Sequence, residues 1–134
     1  MKKQIEQVKE FNKVFGIKDV SPALRFDMIA EELEEYFDAS LKVKIYNKKD
    51  GSHKAEQVVG LIEQADAIGD MLYLLFGAVI DVGLEDKIEE ILDEIHRSNM
   101  SKIEDGGVPI KNAEGKVMKG KNYFKPNIKQ ILNK

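Results

Sequence analysis

Apolar residues recur at helical spacing from the N-terminus: Ile5, Val8, Phe11 and Phe15, with Lys and Glu between them. This period predicts an amphipathic helix over residues 2–15 that ends near Gly16. Ser21-Pro22 is a start signal, with Ser as N-cap and Pro at the first helical position. The helix it opens, about residues 22–41, places Leu24, Met28, Ile29, Leu33, Tyr36 and Phe37 on one side. Residues 42–53 break the period, and lysines around an Asp50-Gly51 turn signal predict a solvated loop. A long helix over about residues 54–82 follows, almost wholly apolar from residue 71 on, as expected of a helix buried on most sides. Gly83 is its expected stop.

A fourth helix, about residues 85–98, has Ile88, Ile91, Leu92 and Ile95 as its apolar face. Beyond Lys102 the helical period is lost. Gly106-Gly107 breaks the chain, and residues 108–111 and 116–119 read as a small hairpin around Asn112-Ala113-Glu114-Gly115. A loop over residues 120–126 then leads into a short terminal helix at about 127–133. The expectation is one all-α domain over residues 1–134: four main helices in a bundle, a short C-terminal β-hairpin and a terminal helix.

Composition narrows the chemistry. The chain has no cysteine, which removes disulfides, thiolate metal sites and cysteine nucleophiles. Two histidines, His53 and His96, are too few for a histidine-rich zinc site. A net charge of −3 argues against nucleic acid as the main partner. The longest apolar run falls short of the roughly 20 residues needed to span a bilayer. The charged N-terminus lacks the apolar core of a signal peptide, so a cytoplasmic location is expected.

The remaining signal is acidic. Glu31, Glu32 and Glu35 share one edge of the second helix. Glu63, Asp66 and Asp70 stack on one face of the third at i, i+3 and i+7. Along one exposed helix such pairs cost only about 0.2–0.5 kcal/mol each. If the two faces met, charges about 4 Å apart would repel by roughly 4 kcal/mol at an effective dielectric near 20. A cation is then required, and an all-oxygen donor set selects Mg²⁺, or Mn²⁺, over Zn²⁺. The competing reading is a pair of ordinary solvated helix faces. Against it, Asp66 and Asp70 are poor helix formers placed mid-helix, directly before its most apolar part.

Glu31-Glu32-x-x-Glu35, then Glu63-x-x-Asp66 and Asp70 after a loop, resembles the signature of the MazG-like all-α nucleoside triphosphate pyrophosphohydrolases. That superfamily includes phosphoribosyl-ATP pyrophosphohydrolase. The resemblance continues through Asp66-Ala-Ile-Gly-Asp70-Met-Leu-Tyr, residues 96–102 and residues 119–126, which are similar to small single-domain members. It implies hydrolysis of the α–β phosphoanhydride of a nucleotide to a nucleoside monophosphate and pyrophosphate. It also implies Mg²⁺ held by Glu31, Glu32, Glu35, Glu63, Asp66 and Asp70, with Glu32 or Glu35 as the catalytic carboxylate that orients water. In many relatives the second-motif Glu lies three residues before the Asp that precedes the apolar run. Counting back from Asp70 reaches Ala67, so the ligand role falls to either Asp66 or Asp70.

The same resemblance implies that Asn99 and Lys102 reach phosphate oxygens, alongside Arg97, and that Lys119, Lys121, Asn122 and Tyr123 cover the nucleotide. The plainer readings are cations complementing a helix C-terminus for Arg97 and Lys102, a C-cap for Asn99, and packing for Tyr123. His96 reads as structural, and no role attaches to His53. The apolar half of the third helix exceeds what a small bundle buries and points to a homo-oligomer, a dimer or tetramer as relatives commonly are. Alternatives are a non-catalytic nucleotide- or metal-binding helical oligomer, and an enzyme acting on phosphoribosyl-ATP itself.

Overall fold

A computed structural model of the chain describes residues 1–42, 45–47, 53–55 and 58–134. Five helices carry it: α1 (Lys2–Val14), α2 (Pro22–Ser40), α3 (Val58–Asp81), α4 (Ile88–Met100) and α5 (Ile128–Leu132). Two short strands, β1 (Ile45–Asn47) and β2 (His53–Ala55), form an antiparallel ribbon with Tyr46 opposite Lys54. The all-α class holds. The ribbon lies where an irregular loop was expected, and α3 therefore begins at Val58 rather than near residue 54. The Asp50-Gly51 turn signal lies outside the described residues.

The chain forms two compact units, Met1–Gly83 and Leu84–Lys134. In the first, α1 buries Ile5 and Val8, and Phe11 meets the edge of the Tyr73 ring on α3 at 5.8 Å. Gly16 stops α1 in the left-handed region, at φ +62°. Its N–H donates to the Lys13 carbonyl and that of Ile17 to the Asn12 carbonyl, which satisfies two carbonyls the ended helix leaves open. Ser21 caps α2 as the Ser-Pro pair predicts, its hydroxyl accepting from the Leu24 N–H at 3.1 Å. Helices α2 and α3 run antiparallel. Arg25 near the start of α2 reaches Asp81 at the end of α3, and Lys42 beyond the end of α2 reaches Glu63 near the start of α3.

The expectation that α3 is buried on most sides is not met. Leu72 and Leu75 are about half exposed, at 50% and 48%, and among the residues of α3 whose burial is described only Gly60, Ala67 and Gly77 are buried. Helices α1 and α2 pack on α3, yet its half from residue 71 on is apolar on more sides than they cover.

In the second unit, α4 buries Ile91 and Ser98, while Leu92 and Ile95 of its expected apolar face stay exposed. Ser98 Oγ donates to the Phe124 carbonyl at 2.8 Å, and the Phe124 N–H donates to Ser101 Oγ at 3.1 Å. These bonds fasten the returning chain to α4. Asn127 caps α5, and Lys87 donates to the carbonyls of Ile131 and Leu132 at its far end. The expected C-terminal hairpin does not form. One isolated bridge joins Lys111 and Val117, and the Asn112 side chain accepts from the N–H groups of Glu114 and Lys116. A side chain that takes up turn donors in an exposed segment competes with a ladder.

Candidate active site on the facing sides of α2 and α3

The antiparallel register sets the acidic edge of α2 against the acidic face of α3. Glu31 and Glu32 line one cleft with Asp70, together with Met28, Tyr73 and Leu74; its volume is about 280 Å³. A second cleft of about 250 Å³ is lined by Glu35, Asp38, Ala39, Lys42, Glu63 and Asp66. All six carboxylates expected from the sequence thus lie on this face, in two groups. Asp66 belongs with Glu35 and Glu63, and Asp70 with Glu31 and Glu32. Ala67, between them in sequence, is buried at 2% exposure. A residue with almost no side chain fits where it is enclosed, and a glutamate there would bury a charge.

Glu32 joins the two groups. Burial pushes its carboxyl above the usual carboxylate value of 4.5, and repulsion from Glu35, Asp70 and Glu31 adds to this, as does a hydrogen bond with Glu35. Its Oε2 is enclosed and has no hydrogen-bond partner. An unsatisfied buried carboxylate oxygen among three other acids is a position where a cation or a proton is stabilising. The donors are hard oxygens, which suits Mg²⁺ or Mn²⁺. Among the described residues, however, no three acidic or histidine side chains converge into a preformed coordination sphere.

Lys42 was read from the sequence only as part of a lysine-rich loop. It instead ties Glu63 at 2.7 Å, which holds its ammonium above the usual lysine range. Its spacing of four from Asp38 on the acidic edge is the signal that could have placed it. Arg25 also went unnoticed. Its Nε and Nη2 donate to both carboxylate oxygens of Asp81 at 2.6 and 3.0 Å, with both side chains mostly enclosed.

The downstream residues all lie in the second unit, each engaged within it. Arg97 donates twice to Glu94 at 2.7 and 2.8 Å, and its guanidinium lies 4.3 Å from the centre of the Phe124 ring. These bonds, with one from the Asn127 N–H, hold the Glu94 carboxyl down to about 2. Lys102 donates to Asn99 Oδ1 at 2.7 Å. Asn122 and Lys121 both bind Asp105, which lowers its carboxyl from the usual value, and the Lys119 ammonium sits 4.7 Å from the Tyr123 ring centre. His96 is exposed on α4, and His53 falls in β2.

In an all-α chain, two facing carboxylate-bearing helices thus bring hard oxygen donors and one strained acid to a single face. The family of phosphoribosyl-ATP pyrophosphohydrolases matches residues 2–99, and the chain belongs to that family. By family it is a pyrophosphohydrolase. No curated protein gave a significant match to the chain. The matched region includes all six acidic residues with Arg97 and Asn99, while Lys102, Lys119, Asn122 and Tyr123 lie beyond it.

Proposed function

We propose that the protein is a Mg²⁺-dependent nucleotide pyrophosphohydrolase that cleaves the α–β phosphoanhydride of a ribo- or deoxyribonucleoside triphosphate. The observation that carries this reading is Glu32, enclosed among Glu31, Glu35 and Asp70 with an unpartnered oxygen and a raised carboxyl. Glu31, Glu32 and Asp70 in one cleft, and Glu35, Glu63 and Asp66 in the other, would hold the metal. When bound, Mg²⁺ polarises phosphoryl oxygens, offsets their charge and lowers the pKa of a bound water. Without a cation the acidic face would repel a polyphosphate.

Glu32, or Glu35 beside it, orients the attacking water and takes its proton, as a carboxylate within reach of a bound water can. The water oxygen bonds to the α-phosphorus as the bond from that phosphorus to the α–β bridging oxygen breaks. Pyrophosphate leaves with the bridging oxygen and the monophosphate keeps the water oxygen. Asn99 and Lys102, with Arg97, are assigned to phosphate, and Lys119, Lys121, Asn122 and Tyr123 to covering the nucleotide. Arg97 and Lys102 must then exchange their partners Glu94 and Asn99 for substrate. The half-exposed apolar side chains of α3 support a homo-oligomer, a dimer or tetramer.

Phosphoribosyl-ATP is the second reading of the substrate, favoured by the family match. Against it, the chain continues past the matched region with the blocks similar to small single-domain triphosphate hydrolases. Both readings share the same bond cleavage. The test is a panel of nucleoside triphosphates and phosphoribosyl-ATP with Mg²⁺ or with chelator, resolving pyrophosphate from orthophosphate. Pyrophosphate formed only with the metal is expected. Orthophosphate as first product would overturn the bond assignment, and the absence of any product would favour a non-catalytic binding module.

A further inference from the structure

Among the described residues, Lys42 is the one basic residue lining the cleft it shares with Glu35, Asp38, Glu63 and Asp66. It approaches from the residue after the α2 C-cap Leu41, held there by its N–H donating to the Ala39 carbonyl at 3.0 Å. Its ammonium meets Glu63 at 2.7 Å, with the two side chains 55% and 45% exposed. An ion pair this open contributes little, because water screens it and two long side chains lose freedom to form it. Such a pair is easily exchanged. A divalent ion among the same carboxylates would draw Glu63 more strongly than one ammonium does and would repel that ammonium. The flexible four-carbon stem lets Lys42 move without the helix moving.

Resting on the metal-dependent reading above, we propose that Lys42 is a stand-in cation: it neutralises Glu63 in the metal-free protein and, once displaced by the metal, binds a phosphate oxygen of the substrate. The metal ion itself, not the cleft as a whole, carries charge opposite to the incoming polyphosphate, and an ammonium released at the cleft rim adds a second positive charge where the anion arrives. The chain then keeps a positive charge beside Glu63 in one state and beside phosphate in the other. A plainer role also exists, since a lysine just past a helix C-terminus favours the helix dipole. That role affects stability and leaves both ligands alone.

The two roles separate because the proposal requires opposite effects on two ligands. In Lys42→Met, Mn²⁺ alone, followed by its paramagnetic resonance signal, is expected to bind about two- to fivefold more tightly, since its competitor for Glu63 is gone. Inorganic pyrophosphate, titrated calorimetrically at saturating Mg²⁺, is expected to bind about tenfold more weakly, the loss of one charge-assisted contact. Lys42→Arg is expected to recover most of the pyrophosphate affinity. Unchanged or weaker Mn²⁺ binding in Lys42→Met, or unchanged pyrophosphate binding, overturns the proposal. If Glu32→Gln abolishes Mn²⁺ binding while Lys42→Met changes neither ligand, only the role of Lys42 fails. If the unmutated protein binds no Mn²⁺, the metal-dependent reading fails and the role of Lys42 with it.

Discussion

Glu32 and Glu94 are two carboxyls shifted in opposite directions, and the causes lie in what surrounds each. Glu32 is raised by burial and by three acidic neighbours. Its native form keeps a proton over a range in which the unfolded chain, near 4.5, has lost it. Stability from this group is therefore complete below 4.5 and declines as pH rises through the folded value. Glu32→Gln removes the repulsion without removing volume. Denaturation of the metal-free protein should show a flatter pH dependence and an undiminished midpoint at pH 7, while turnover falls by about 100-fold or more. A Gln variant that unfolds would make Glu32 a structural residue. Glu94 is lowered to about 2, first by Arg97 and then by the Asn127 N–H. Its contribution is fully present above the unfolded value and is lost as pH falls through about 2. The protection factor of the Asn127 amide should hold at pH 5 and fall as pH approaches about 2, and Glu94→Gln should lower it at neutral pH. Equal protection in that variant would show that Glu94 does not hold the C-terminal segment.

The site depends on the register of two helices, and both of its ends are tied by ion pairs. Arg25 and Asp81 form the stronger tie, two-pronged and mostly enclosed. Gly77 makes room for it, because a Cβ there would lie 2.5 Å from Arg25 Nη1. Alanine is the better helix former by about 1 kcal/mol. Shifting the guanidinium off Asp81 gives up charged hydrogen bonds worth about 1.5–3 kcal/mol. Gly77→Ala is therefore expected to lower the melting temperature despite its helix propensity. A rise would show that Arg25 gives way freely and that the register does not rest on it.

Among the described residues, exposed large apolar side chains outnumber buried ones. Leu72 and Leu75 on α3, and Leu33 and Phe37 on α2, are all about half exposed or more. Solvated apolar area of this kind favours association with another surface, which is the basis of the proposed homo-oligomer. Sedimentation should return a multiple of the 15.2 kDa chain mass. Leu72→Asp should reduce that multiple while leaving the helical circular dichroism signal intact. A single-chain mass for the unmutated protein would remove the oligomer. Among the described residues no helix is long and apolar enough to cross a membrane.

Local rules were legible because they act within a few residues. Ser21-Pro22, Gly16 and Gly83 marked helix ends through capping and backbone freedom, and the 3.6-residue period located α1, α2 and most of α3. The acidic face was legible for the same reason, since i, i+3 and i+7 spacing defines a face before anything packs on it. What lies opposite that face is set by pairing across the chain. Lys42 meets Glu63 across 21 positions and Arg25 meets Asp81 across 56, and neither separation carries a periodic signal. Three-dimensional packing likewise divided the six carboxylates between two clefts and raised Glu32, because desolvation and repulsion depend on distances in space. The expected hairpin fails on the same ground: residues 108–119 have strand-like spacing, but the Asn112 side chain takes up turn donors and pairing stops at the single bridge from Lys111 to Val117. Short-range chemistry determined the elements and the acidic residues, and tertiary contact decided which of those acids are strained and which cation stands beside them.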